Sequence, residues 1–228
     1  HMRGLKTVFA VMAMGAVMAV APAGAATVNV TMQGKNAFQD AKGQNAWYQT
    51  ASYSLNGINR TAAAGMFRLS ATGANGAVQD FLAFCLEPLE TLTLPRDHTV
   101  GSNLSAPILD RLGALMGNGF ALVTGATSAA AFQLAAWEIA NEGSGTLDLS
   151  RGAFRVTSAT SAARNLAQTW LNGITSGQWT SSGAVTILSA PGTQDLLTDI
   201  APVPVPAAAV LLLGGLAGLG AIGRRRRS

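Results

Sequence analysis

The chain has 228 residues and a formal charge of +4, but the charge sits at its two ends. The segment between them holds nine basic residues against all eleven acidic ones, a net of −2. That excludes the basic footprint a nucleic-acid partner requires, and a single cysteine excludes an intramolecular disulfide.

The N-terminal segment, 1–26, reads as a secretory signal peptide, with His1 a cloning scar ahead of Met2. Arg3 and Lys6 make a positive start, an apolar run follows from Thr7 to Val20, and Pro22 breaks it before the small-residue site Ala23-Gly24-Ala25. Signal peptidase is the partner this implies, and the segment that follows is expected outside the cytosol.

Residues 27–200 are enough for one globular domain with a real core. Val28, Val30 and Met32 alternate with polar residues, as in a half-buried strand. Further strands are expected over 47–55, 66–71 and 81–86, punctuated by Asn56-Gly57 and by Gly73 to Gly76. The centre turns helical. Ser105 opens a helix that Gly117 is expected to stop; Thr127 or Ser128 opens a second running to about Glu142; Ser158 or Thr160 opens a third ending near Asn172-Gly173. A late strand covers 185–188. The expected class is α+β: a β-rich N-terminal half, a central helical segment and a late strand, between a signal peptide and a hydrophobic tail.

Cys85 is the only cysteine, in the strand segment Ala83-Phe84-Cys85-Leu86-Glu87-Pro88. In an exported chain it is a buried thiol, an intermolecular partner, or a site of special chemistry. On the second helix Gln133 lies in Phe132-Gln133-Leu134-Ala135-Ala136-Trp137-Glu138 and shares a face with Trp137 at i+4.

The remaining 201–228 begin as a Pro-rich spacer. Val203-Pro204-Val205-Pro206-Ala207 is followed by an apolar run over 208–223 and by Arg224, Arg225, Arg226 and Arg227. As a helix the run reaches roughly 24 Å, short of a ~30 Å hydrocarbon core unless the arginines snorkel. The arginines hold that end in the cytoplasm.

This three-part tail resembles the PEP-CTERM class of sorting signals, in its VPLPA-CTERM variant, with Val205 where that variant usually has Leu. The resemblance implies transient anchoring in the inner membrane of a Gram-negative bacterium, cleavage near the Pro motif by an exosortase-type membrane protease, and transfer to the cell surface or extracellular matrix. The Cys85 and Gln133 segments together resemble the thioester domains of bacterial surface adhesins. That resemblance implies a bond between Cys85 Sγ and the side-chain carbonyl carbon of Gln133, formed with loss of ammonia and opened by an amine on a surface or extracellular polymer. Phe84, Phe132 and Trp137 would keep water from it.

No catalytic residue, metal or cofactor is expected, and the domain reads as a binding or structural protein rather than an enzyme. The alternatives are an exported structural domain without the bond, or a secreted hydrolase of matrix polysaccharide. The hydrolase would need paired carboxylates, for which Glu87 with Glu90, or Glu138 with Glu142, are the candidates, the second pair reading more simply as a solvated helix face. His98 reads as a solvated loop residue, and the segment 123–127 lacks the later glycines of a dinucleotide-binding turn.

Overall fold

Alternating apolar residues line a barrel built from N-terminal strands and closed by two late ones. The computed structural model describes residues 26–142, 145–183 and 185–200; the segments expected to be a signal peptide and a sorting tail, with Val203 to Ala207 and Arg224 to Arg227, lie outside them. Strands β1 (Thr27–Met32), β4 (Phe67–Thr72), β5 (Val78–Cys85), β6 (Arg96–Val100), β8 (Thr186–Ser189) and β9 (Leu196–Thr198) form a closed barrel in the order β1-β4-β5-β9-β8-β6, every pair antiparallel. Val28, Val30, Leu69, Ala71, Phe81 and Ala83 are buried along it with the period of two that strand geometry demands. A second sheet, in the order β3-β2-β7, contains β2 (Tyr48–Leu55), β3 (Ile58–Gly65) and β7 (Phe154–Ser158).

The helices α1 (Ala106–Gly119), α2 (Ala126–Glu142) and α3 (Ser161–Thr175) pack together, and α2 also touches β2, β3, β5 and β7. Every residue of α2 from Ala129 to Ile139 is buried. Apart from Gln133 and Glu138 that stretch is apolar all round, as suits a helix covered on all sides, and its alanines let its neighbours approach closely. The domain is thus α+β and β-rich. The barrel, β3, β6, β7 and β9 are additions to the expected strands.

Two glycines expected to end helices do not. At Gly117 a Cβ would lie 2.4 Å from Ser182 Oγ, and at Gly113, one turn earlier, 2.3 Å from Ser181 Oγ. These glycines admit the 181–183 segment against α1, which runs on to Gly119. Gly173 likewise faces the Trp179 ring at 3.3 Å, and α3 continues to Thr175. The start of α3 is the capped one: Thr160 Oγ1 accepts the Ala163 N–H and donates to Gln49 Oε1 on β2. Thr160→Ala is expected to cost about 1 kcal/mol, a fall of roughly 2–4 °C in Tm in a thermal melt followed by circular dichroism.

The barrel gives the domain two distinguishable mouths. Ala26 pairs with Val100, whose N–H donates to its carbonyl, and Ile200 lines a small cavity with Val28, Val100 and Gly73. Both ends of the described chain therefore emerge at one mouth. Strand β5 starts at that mouth and ends, seven residues and roughly 23 Å later, at Cys85, which pairs with Leu196 at the start of β9.

Candidate functional site

Cys85 is 1% exposed and ends β5 where the sheet loses a strand. Backbone groups along a strand point alternately to its two sides. Leu86 N–H donates to Asp195 O, so the N–H and C=O of Cys85 face away from β9, toward β4. Strand β4 begins at Phe67, opposite Ala83, and does not reach Cys85. Just before it the chain has left the barrel for the second sheet. Gly65 permits that crossing, because a Cβ there would lie 2.3 Å from Trp47 O. The switch leaves the two polar groups of Cys85 without a strand to pair with in a buried site, which the backbone does not tolerate.

Gln133 takes the place of the missing strand. Cys85 N–H donates to Gln133 Oε1 at 3.0 Å, and Gln133 Nε2 donates to Cys85 O at 2.6 Å. The carboxamide presents the same donor and acceptor as a peptide group, held by α2, and is itself 1% exposed. Its carbon consequently lies within about 4 Å of the Cys85 carbonyl oxygen. The structure therefore brings Cys85 and Gln133 together.

Aromatic residues seal both sides of the junction. Phe84 leaves the strand on the face opposite Cys85 and stacks on Phe132 at 4.2 Å between ring centroids. On the other side Trp137 packs on Tyr53 at 5.1 Å, and Phe154 touches both rings. The Tyr53 hydroxyl donates to the Pro88 carbonyl, fastening the turn that follows Cys85. Burial pushes the Cys85 thiol up to about 12, while the Trp137 indole N–H and the Glu87 backbone N–H pull the other way. Tyr53 is a member of this shell that its sequence setting, an unremarkable strand position, did not single out.

The carboxylate pairs separate into different roles. Glu87 and Glu90 line an open cleft with Asp195, and Glu87 Oε2 accepts the Asp195 N–H at 2.9 Å. Glu138 and Glu142 do not form a solvated face. Glu138 is fully buried: Oε1 accepts the Asp148 N–H at 2.6 Å and Oε2 has no partner. Glu142 accepts the Phe154 N–H at 2.8 Å. Each clips a different stretch of backbone to α2, because the helix lies in the middle of the fold rather than on its surface. His98 is also buried, not solvated: it is on β6, with Nδ1 3.2 Å from Arg96 O and Nε2 unpartnered. Among the described residues no group of three or more His, Cys, Asp or Glu is placed to hold a metal, and no helix is long and apolar enough to cross a membrane.

Comparison with family models, with curated proteins and with solved structures gives no match to this chain.

Proposed function

We propose that this is an exported surface or matrix protein, trimmed at its C-terminal sorting signal, whose domain forms an internal thioester between Cys85 and Gln133 and uses it to capture an amine covalently. The observation that carries this reading is the reciprocal pair of hydrogen bonds between the Gln133 carboxamide and the Cys85 main chain. The pair holds the carboxamide near the plane of the strand's peptides, while the Cys85 Cβ leaves that plane. The sulfur thus approaches the carboxamide carbon through its face, the direction a nucleophile needs. The Cys85 N–H already sits on the oxygen that gains negative charge during attack. Burial of both residues keeps water from the activated acyl group. The placement of the chain ends also suits display: a tail anchored beyond Ile200 leaves the Cys85 end of the barrel pointing away from the membrane.

A thioester lowers the intact mass by one ammonia, blocks alkylation of Cys85 under denaturing conditions, and is opened by methylamine with incorporation at Gln133. Fresh, natively purified chain should show all three. Full mass with Cys85 alkylated on denaturation would leave the second reading, a structural domain in which Gln133 only replaces a strand, which the engagement of both carboxamide groups by the Cys85 main chain favours. Peptide mapping of native material checks the export half: the mature chain should begin at Ala26 or Thr27 and end near Pro206, and a form retaining Leu211 to Arg227 would reduce the tail to a plain anchor.

A further inference from the structure

We propose that the turn 87–90, which follows Cys85 almost directly, is the door through which an amine reaches the buried pair, and that the Tyr53 hydroxyl is its latch. This rests on the thioester reading and assigns the path to that bond.

Cys85 and Gln133 are both fully buried, so a reactive pair here needs an opening. The aromatic cover is regular structure: Tyr53 sits on β2, Phe84 on β5, Phe154 on β7, and Phe132 and Trp137 on α2, all held by ladder or helix bonds. Between β5 and β6 the chain forms neither helix nor strand. A segment of that kind opens locally, at a fraction of the cost of global unfolding.

The turn is fixed at both ends and free between them. Leu86 is the near hinge, its N–H bonded to Asp195 O, and Leu92 and Leu94, packed against the core, hold the far one. Glu90 N–H donates to Glu87 O at 3.1 Å and closes the turn on itself. Glu87, Leu89 and Glu90 face outward, and Glu87 and Glu90 front the open cleft beside Asp195. Two outer ties cross to the 194–195 segment: Asp195 N–H donates to Glu87 Oε2 at 2.9 Å, and Gln194 Nε2 donates to Glu90 O at 2.6 Å. Both are exposed, where water replaces a lost bond at little cost. The inner tie is buried. Pro88 points inward, and its carbonyl accepts the Tyr53 hydroxyl. The Tyr53 ring in turn rests on Trp137, one helical turn beyond Gln133. That one side-chain bond fastens the turn to the wall of the site. When it breaks, the turn lifts and the amine enters. The amine nitrogen bonds to the Gln133 side-chain carbonyl carbon, the bond from that carbon to Sγ breaks, and one amine proton passes to the departing sulfur.

Tyr53→Phe tests this, since it removes the hydroxyl and keeps the ring on Trp137. In the full chain, incorporation of methylamine is followed by intact mass. It is expected to be about fivefold faster, the effect of one lost hydrogen bond on the open population. Thr160→Ala is the control: it weakens the fold by a similar amount at the start of α3 and should leave the rate at the wild-type value. Because Tyr53→Phe can also fold poorly, a second measurement uses the wild-type chain in low urea. Lifting a four-residue turn exposes little surface, so the rate should stay flat below the unfolding transition, whereas global opening makes it climb from the start. A Tyr53→Phe rate no faster than that of Thr160→Ala, or a wild-type rate that climbs with urea, overturns the door. A wild-type chain at full mass removes the thioester instead. The same variants and urea series are then read with iodoacetamide at the free Cys85 thiol, and the same two outcomes decide whether the turn is the route to Cys85.

Discussion

Relative to wild type in its unreacted thiol–carboxamide form, Gln133→Ala is expected to cost the domain about 4 kcal/mol and to lower Tm by roughly 8–16 °C. The substitution strands the N–H and C=O of Cys85, both buried, at about 1–3 kcal/mol each, and opens a cavity beside Phe84 and Phe132 whose lining relaxes only in part. Gln133→Glu separates hydrogen bonding from shape. A neutral carboxylic acid still supplies one donor and one acceptor, so that variant should melt close to wild type at pH 4. As a carboxylate it has no donor left and faces the Cys85 carbonyl. Burial raises the folded pKa of the new acid, so the stability it contributes is full below about 4.3 and is lost as pH rises through the folded value. Thermal melts at pH 4 and pH 8 decide the matter: Gln133→Glu should fall steeply between them, while Gln133→Ala stays low at both. An alanine variant melting within 2–3 °C of wild type at both would mean that the carboxamide does not stand in for the missing strand.

How much of this was readable beforehand depends on whether the information was local. Alternation at Val28, Val30 and Met32 gave β1, and Ser105 and Thr160 marked the starts of α1 and α3, whereas Thr127 or Ser128, expected to open α2, lie inside a helix that begins at Ala126. The closure of six strands into a barrel was not readable, since β8 and β9 lie more than 100 residues from β5 and pair with short, ordinary sequences. Glycines misled for a related reason. Gly117 and Gly173 have the look of helix breakers, yet they make room for Ser182 and Trp179, partners fixed only by tertiary packing. The neighbourhood of Cys85 and Gln133 was legible as a pair because a strand residue and a helix residue each carried apolar neighbours. The reason the pair exists was not legible: it depends on β4 beginning two residues short of Cys85, at a crossing that Gly65 permits. Glu138 was misread as solvated because helical spacing identifies a face without saying whether another element covers it.

That buried carboxyl sets the pH dependence of the fold. Burial raises the Glu138 pKa to about 8; the Asp148 N–H lowers it in part, and the charges of Glu142 and Asp148 raise it again. A folded pKa above the unfolded one means that the native state holds the proton more tightly. The stability is therefore full below the unfolded value of 4.5 and is lost progressively as pH rises to about 8. Glu138→Gln keeps an oxygen for the Asp148 N–H and removes the ionisation. At pH 5 the two proteins should melt alike. At pH 8 the variant should be more stable by about 3 kcal/mol, or roughly 6–12 °C in Tm, with the loop from Gly145 to Phe154 holding to α2 where the wild type begins to release it. Hydrogen exchange at the Asp148 amide reports the same event locally: protection should decline with pH in the wild type beyond the ordinary base-catalysed trend, and follow only that trend in the variant. Melting curves that run parallel from pH 5 to pH 8 would show that Glu138 reaches water through openings the folded chain provides, and that its unpartnered Oε2 carries no energetic weight.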